Sequence, residues 1–223
     1  MNFQFLGKYF GMFLEGASIT IQVSLVSLII GFIVGLFICL MKMSKIKILK
    51  WLSTAYVEIL RGTPLFVQVY IVYFGLAQFG IDFPDIGPIP GKFLAGTFAL
   101  SINSSAYVAE IFRSGIQAVD KGQMEASRSL GLDYASTMRY VIVPQAVKNI
   151  LPALANEFIT LVKESAILSV IGVQDLMFKS IAVKNQTYIA FEPFIVAAAM
   201  YFVMTFTLSK LVGLLEKKLA QSN

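Results

Sequence analysis

The chain has 223 residues, of which 57% are hydrophobic and only 14% are charged, and its net charge at pH 7 is +5. A soluble domain carries about 25% charged residues, so this composition, with a mean hydropathy of +0.75, indicates one all-α transmembrane domain over residues 1–223. Because the chain has no histidine and one cysteine, Ser-His-Asp and Cys-His catalysis are excluded, and no metal or cofactor is expected. No nucleic acid is expected either, since the positive charge of so apolar a chain indicates basic residues on one side of a bilayer.

The apolar segments predict one short interfacial helix followed by five membrane spans. Residues of about 2–15 are rich in phenylalanine and tyrosine, which is typical of a helix lying at headgroup depth. A span needs about 20 mostly apolar residues. The predicted spans cover about 17–41, 56–80, 92–113, 150–172 and 190–215.

The distribution of basic residues predicts an outside N-terminus and a cytoplasmic C-terminus. Lysine and arginine gather in cytoplasmic loops, and this orientation places twelve of them inside and four outside. The inner residues are Lys42, Lys45, Lys47, Lys50, Arg113, Lys121, Arg128, Arg139, Lys148, Lys210, Lys217 and Lys218, and the outer ones are Lys8, Lys92, Lys179 and Lys184. No internal repeat is evident, which argues against secondary transporters built from inverted halves.

The second span begins with the helix-breaking run Arg61-Gly62-Thr63-Pro64. Such a run breaks a helix or starts a new one with proline in its first turn. A helix start at membrane depth would present free N–H groups to an anion such as an α-carboxylate. A plain kink beside a membrane-edge arginine explains the run equally well.

The fourth span carries an unusual number of polar residues. Glu157, Thr160 and Glu164 fall within an arc of about 60° on a helix, and Asn156 and Lys163 lie beside them. Ionisable groups at membrane depth are costly, and they face a cavity or another protein surface rather than lipid. Acids and an ammonium in one cavity suit a zwitterionic ligand. Alternatively, Lys163 neutralises a neighbouring glutamate and the pair is structural.

The third span adds Asn103 and Ser104 at membrane depth. These side chains either line the same cavity or form hydrogen bonds between packed helices. The predicted substrate-binding residues are Asn103, Ser104, Asn156, Glu157, Thr160 and Glu164.

Residues of about 121–148 form a charged, helix-favouring segment between the third and fourth spans. Its apolar face is too thin for a span, and Gly131 in its middle predicts two short helices at an angle. A short amphipathic helix held there is suited to docking in a groove of a partner. An ordinary connecting loop is the alternative.

This segment resembles the EAA motif of permease subunits of ABC importers. Glu125-Ala126-Ser127, Gly131 and Val141-Ile142-Val143-Pro144 match the motif's spacing, with mild departures at Ser127, Val141 and Val143. The runs EILRGTPLFVQ and LVKESAILSVIGVQDL further resemble the polar amino acid branch of those importers.

The resemblance implies a multi-pass permease of the type I importer fold in the cell membrane. It also implies partners: cytoplasmic ATPases, a second permease subunit (identical or related) and an extracytoplasmic amino acid binding protein. On this basis Glu125, Ala126, Ser127 and Gly131 would belong to the ATPase-docking helix. The chain has no GxxxxGK[ST] run, so ATP hydrolysis would come from a partner.

The sequence therefore predicts a non-enzymatic permease that moves a polar amino acid, and the acids of the fourth span favour a basic one. The alternatives are a stand-alone carrier or channel that uses the buried Glu and Lys residues, an ABC permease for another small polar solute, and a membrane scaffold that only recruits a partner.

Overall fold

The computed structural model describes residues 3–220, so residues 1, 2 and 221–223 of the predicted domain lie outside it. The described part is helical and contains no β-strand, as the all-α prediction requires. The helices are α1 (Leu6–Met43), α2 (Lys47–Gly62), α3 (Leu65–Tyr70), α4 (Leu76–Gln78), α5 (Gly91–Gln117), α6 (Lys121–Ser129), α7 (Tyr134–Thr137), α8 (Val143–Glu164), α9 (Leu176–Thr187) and α10 (Glu192–Ala220). Two π-helical segments (Ile71–Gly75 and Met138–Ile142) and a 3₁₀ segment (Ser165–Ile171) complete the chain's helical parts.

The N-terminal region differs from the prediction of a separate interfacial helix over about 2–15. Residues 6–43 form one continuous helix, and residue 2 lies outside the described part. The change of composition near Gly16 does not end the helix, and this glycine lies at a close contact with α9. A Cβ at Gly16 would lie 2.8 Å from the Cα atom of Leu176 in α9.

The packing of α1 against α5 forms the centre of the bundle. Gly31 and Gly35 of α1 are four residues apart, and small residues at this spacing let helix backbones approach closely. A Cβ at Gly31 would lie 3.2 Å from the Ser104 side chain, and one at Gly35 would lie 2.8 Å from the carbonyl oxygen of Ser105. This contact fixes the position of Ser104 in the buried interface.

The predicted second span, 56–80, is bent rather than straight. Its first helix begins earlier, at Lys47, and the axes of Lys47–Gly62 and Leu65–Gln78 differ by 106°. Thr63 is extended (φ −117°, ψ 145°) because the residue before a proline disfavours the helical region. Pro64 then precedes α3, so the helix break expected at this run is present.

Length and composition support fewer spans than the five predicted. Within residues 3–220, two helices meet the criteria for crossing a membrane, Leu6–Met43 and Glu192–Leu219. Two bent pairs meet them jointly, Lys47–Gly62 with Leu65–Gln78 and Tyr134–Ile171 with Leu176–Thr187, which gives up to four. The predicted third span coincides with α5, whose Ser-Ile-Asn-Ser-Ser run lowers its hydropathy. Five crossings therefore stay a prediction.

Candidate functional site

The third and fourth predicted spans meet at a half-buried carboxylate. Ser104 is fully buried on α5, and its Oγ donates a hydrogen bond of 2.7 Å to Oε1 of the half-buried Glu157 on α8. The structure thus brings together two of the predicted site residues.

Asn103 forms a hydrogen bond between packed helices, one of the two roles that its sequence position left open. Its Nδ2 donates to Oε1 of Gln68 at 2.9 Å, and Gln68 is itself buried on α3. Gln68 Nε2 in turn donates to the carbonyl oxygens of Leu60 and Thr63 at 2.8 and 3.1 Å. These carbonyls lie at the end of α2, where no further helical turn supplies donors. Asn103 and Gln68 therefore hold the bend in the second span.

Sequence reasoning missed Gln68. The only available signal was one amide in the apolar run LFVQVY, four residues after Pro64. A side chain one turn into a new helix can reach back to the end of the broken one.

Asn156, Thr160 and Lys163 lie on an open side of α8, which we call the open face. Asn156 and Lys163 are exposed and seven residues apart, a spacing that places them on one side of a helix. Thr160 lies between them, and its hydroxyl donates to the Asn156 carbonyl oxygen at 3.2 Å. Among residues 3–220, these side chains are not covered by a helix of the same chain.

Glu164 lines a cavity beside the bend. This space, of about 500 Å³, is called the bend cavity, and it is lined by Pro64, Leu65, Phe66, Lys163, Glu164, Ala166, Ile167, Ser169 and Met177. It joins the first turn of α3 to a carboxylate and an ammonium group. The first N–H groups of a helix have no acceptor within the helix. The cavity therefore offers hydrogen-bond donors from α3 and Lys163 and a carboxylate acceptor from Glu164. Arg61 is outside this lining and lies over the ring of Tyr107, 5.2 Å from its centroid.

Glu157 and Glu164 share one side of α8. Seven residues separate them, about 10.5 Å along the axis, and both are half-buried. At that distance their carboxylates do not contact each other directly, and of the two only Glu164 lines the bend cavity. Of the six predicted binding residues, five lie on α8 or against it, and Asn103 alone is committed to the bend.

An ionic cluster of Lys42, Glu110 and Arg113 joins α1 to α5 at their C-terminal ends. Glu110 accepts from Lys42 at 2.5 Å and from Arg113 at 2.7 Å. Its carboxylate is satisfied on both oxygens and is mostly covered, with 15% of the side chain exposed. The ends of α1 and α5 therefore lie at the same face of the bundle.

The predicted docking segment has the helix–glycine–helix form that Gly131 suggested. Gly131 has a φ of +88°, the left-handed region that favours glycine, and it separates α6 from α7. Glu125 and Ala126 are exposed, but Ser127 is 7% exposed and its Oγ donates to the Gln123 carbonyl oxygen. Ser127 therefore lies on the inner face of α6, away from the surface that a partner could contact.

Both helices of this segment have side-chain caps. Asp120 Oδ1 accepts from the Gly122 N–H at 2.6 Å, and Asp133 Oδ1 accepts from the Ser136 N–H at 2.8 Å. The hydrogen bonds from Ser136 lower the pKa of Asp133. The caps fix where α6 and α7 begin, and α7 continues through Met138–Ile142 into α8.

Comparison with known proteins identifies the family. The model of the family described as "Binding-protein-dependent transport system inner membrane component" matches residues 11–221. The chain belongs to this family. The predicted multi-pass permease of the cell membrane, with the type I ABC importer fold, is thereby confirmed.

Individual members of the family are similar over nearly the whole chain. The probable glutamine ABC transporter permease protein GlnM of Bacillus subtilis (strain 168) is 41% identical over 222 residues, which is 100% of both chains. The arginine transport system permease protein ArtQ of the same organism is 44% identical and covers 94% of this chain and 93% of its own. A crystal structure of an amino acid ABC transporter with histidines is 53% identical, with a TM-score of 0.92 over 98% of this chain and 99% of that one.

Proposed function

We propose that this permease moves a polar amino acid, with a preference for basic ones, through a path beside α8 in an ATP-driven importer. The observation that carries the proposal is Glu157, a half-buried carboxylate held on one oxygen by Ser104 and followed by Glu164 at the bend cavity. The names of the relatives, which refer to glutamine and arginine transport, and the solved structure with histidines support the substrate class.

Protein groups along the proposed path are complementary in charge to the two ends of a zwitterionic amino acid. Carboxylates at Glu157 and Glu164 suit an ammonium or guanidinium group, since charge-assisted hydrogen bonds are the strong ones. Lys163 and the first turn of α3 suit an α-carboxylate. A cavity of about 500 Å³ has room for one such molecule with some water.

A second permease subunit would cover the open face of α8. Polar side chains at membrane depth face a cavity or a protein rather than lipid, and Asn156 and Lys163 are exposed in the single chain. Pairing two permeases, identical or related, along α8 would enclose these side chains in a shared aqueous path. The absence of an internal repeat fits this arrangement, because the pair supplies the symmetry.

The proposed topology has five crossings with an outside N-terminus and a cytoplasmic C-terminus. Lys42 and Arg113, which the charge distribution places inside, bind the same carboxylate of Glu110. The C-terminal ends of α1 and α5 therefore share a face, which supports an intervening bent segment that returns across the membrane. The docking segment follows α5 directly and so lies on that same side.

Coupling to partner ATPases would act through α6. Glu125 and Ala126 are exposed on it, next to Leu130, which is 85% exposed. We expect the ATPases to bind this surface, with Ser127 supporting it from behind and Gly131 setting the angle to α7. An extracytoplasmic binding protein would deliver the amino acid on the opposite side.

Substrate preference tests the role of Glu157. In the reconstituted importer, Glu157→Gln should reduce uptake of labelled arginine about tenfold, which corresponds to about 1.4 kcal/mol, because the amide keeps the shape but loses the charge. Uptake of labelled glutamine should change much less. The matched control is Glu15→Gln, since Glu15 is an exposed residue that pairs with Lys179, away from α8.

Two results would contradict parts of this proposal. Equal uptake of arginine and glutamine, unchanged by Glu157→Gln, would exclude a basic preference set by this residue. Failure of the wild-type complex to take up either amino acid, with uptake of another small polar solute, would exclude the substrate class.

A further inference from the structure

The C-terminal half of α10 has a small basic groove that the proposed transport path does not use. An open surface depression of about 390 Å³ is lined by Ser209, Lys210, Gly213, Leu214 and Lys217, all of them on α10. We infer that this basic groove binds the headgroup of an anionic phospholipid, with the acyl chains lying along the apolar side of α10.

The geometry of the groove suits a phosphate group. Lys210 and Lys217 are seven residues apart, so they lie on one side of the helix and about 10.5 Å apart along its axis. Gly213 lies between them, and a Cβ there would meet nothing within 4 Å. The glycine leaves an open notch between two long ammonium side chains, and the Ser209 hydroxyl at its edge can donate a further hydrogen bond.

The positive charge of this groove is uncompensated. Within residues 3–220, neither Lys210 nor Lys217 forms an ion pair with a carboxylate, whereas Lys42 in the bundle is paired with Glu110. Glu216 is adjacent in sequence but lines a separate cavity between α10 and α8. The ammonium of Lys210 lies over the ring of Phe206, 5.1 Å from its centroid. An anion bound here would therefore meet two cations without displacing a protein carboxylate.

The apolar surface beside the groove favours a lipid over a soluble anion. Val203, Phe206, Lys210 and Lys217 lie within about 60° of one another around the helix. Val203 and Phe206 are exposed, and so is Phe202, whose ring stacks on that of Phe206 with centroids 5.5 Å apart. Because Glu192–Leu219 is long and apolar enough to span a membrane and is mostly unburied within the chain, this side of α10 faces acyl chains.

The combination of a basic end and an apolar stripe on one helix side matches an anionic phospholipid. Lysine side chains near a helix end extend their ammonium groups to the headgroup region, and basic pockets at that depth bind anionic headgroups. A soluble phosphate would use the lysines but gain nothing from Phe202, Val203 and Phe206.

Native mass spectrometry of the purified transporter complex tests the site. Phosphatidylglycerol and phosphatidylcholine with the same acyl chains are added separately, and retention of each lipid is compared. Lys210→Gln/Lys217→Gln should reduce phosphatidylglycerol retention about tenfold and leave phosphatidylcholine retention unchanged. Lys210→Arg/Lys217→Arg should retain phosphatidylglycerol, because it keeps both charges. Lys47→Gln/Lys50→Gln, which removes two exposed lysines from α2, is the matched control.

Several outcomes would overturn the inference. They are equal retention of the two lipids by the wild-type protein, wild-type retention by the double glutamine variant, and an equal loss in the α2 control, which would indicate general charge attraction. Competition by water-soluble glycerol 3-phosphate as effective as that by the lipid would assign the groove to a free phosphate instead. None of these measurements depends on the transported substrate.

Discussion

At the residue scale, Glu157 and Gln68 show how differently two polar side chains are used at membrane depth. Glu157 has one oxygen bound by Ser104 and remains half-buried. Gln68 uses both its donor and its acceptor functions on the protein itself. We propose that the first residue binds substrate, whereas the second bonds to the carbonyl oxygens at the bend.

Gln68→Leu should destabilise the permease by removing the donors to the Leu60 and Thr63 carbonyls. A buried polar group left without a partner costs about 1–3 kcal/mol, and Asn103 would lose its acceptor as well. Thermal unfolding of the purified protein should show a lower transition temperature. Adding Asn103→Leu should lower it little further, because both residues act in one network.

The control for this prediction is Gln22→Leu on α1. Gln22 is exposed and donates to the Ser18 hydroxyl one turn earlier, so its removal should leave the transition temperature nearly unchanged. Equal thermal stability of the Gln68 and Gln22 variants would contradict the role assigned to Gln68.

The sequence singled out polar side chains of the third and fourth spans because such groups are costly at membrane depth. Charged and amide groups in the fourth span had to be explained, and Glu157 and Ser104 do meet. For Asn103 it left open a substrate site and a hydrogen bond between helices, because the sequence does not tell which neighbouring helix presents the acceptor. For Ser127 it did not tell on which face of the short helix the small side chain lies, and the structure buries it.

At the element scale, the sequence indicated where helices break, but it did not indicate that α1 is continuous. Thr63-Pro64 and Gly131 end helices for reasons visible in the sequence, namely a missing N–H and a positive φ. Gly16 of α1 lies at a close contact with the backbone of α9, 160 residues later. The change of composition near residue 15 predicted a boundary between two helices, whereas the structure has one helix.

Gly131→Ala should weaken coupling between ATP hydrolysis and transport. A Cβ at φ +88° meets no neighbouring atom, but the left-handed conformation costs an L-residue about 1–2 kcal/mol. The angle between α6 and α7 should change, so uptake per ATP hydrolysed should fall. Parallel assays of labelled amino acid uptake and phosphate release would measure the ratio.

Gly11→Ala is the matched substitution, because Gly11 is helical, has an ordinary φ and has open space around its Cβ position. It should leave the ratio of uptake to ATP hydrolysis unchanged. An unchanged ratio in Gly131→Ala as well would show that the left-handed turn is not needed for coupling.

At the scale of the whole molecule, one stretch of chain connects the docking surface to the candidate substrate path. From α6 the chain passes through α7 and Met138–Ile142 directly into α8, which carries Glu157 and Glu164. A displacement of α6 by a bound ATPase would therefore reach the path through consecutive helical segments. The bundle of α1 and α5, joined by Gly31, Gly35 and the Glu110 cluster, provides the body against which α8 could move.

The set of helices that span the membrane could be predicted only in part from the sequence. Hydrophobicity located α1 and α10 as spans, but the bent second segment and the polar α5 do not each meet the criteria for a span alone. Their place in the membrane depends on burial against neighbouring helices, which a count of apolar residues does not contain.

The central claim is that this chain moves an amino acid only when a partner ATPase hydrolyses ATP. The most direct measurement is accumulation of labelled arginine by proteoliposomes containing the permease, its ATPase partner and the binding protein, with and without ATP on the ATPase side. We expect accumulation with ATP and background levels without ATP or without the ATPase. Uptake by the permease alone, driven by an ion or proton gradient, would contradict the account and identify a stand-alone carrier.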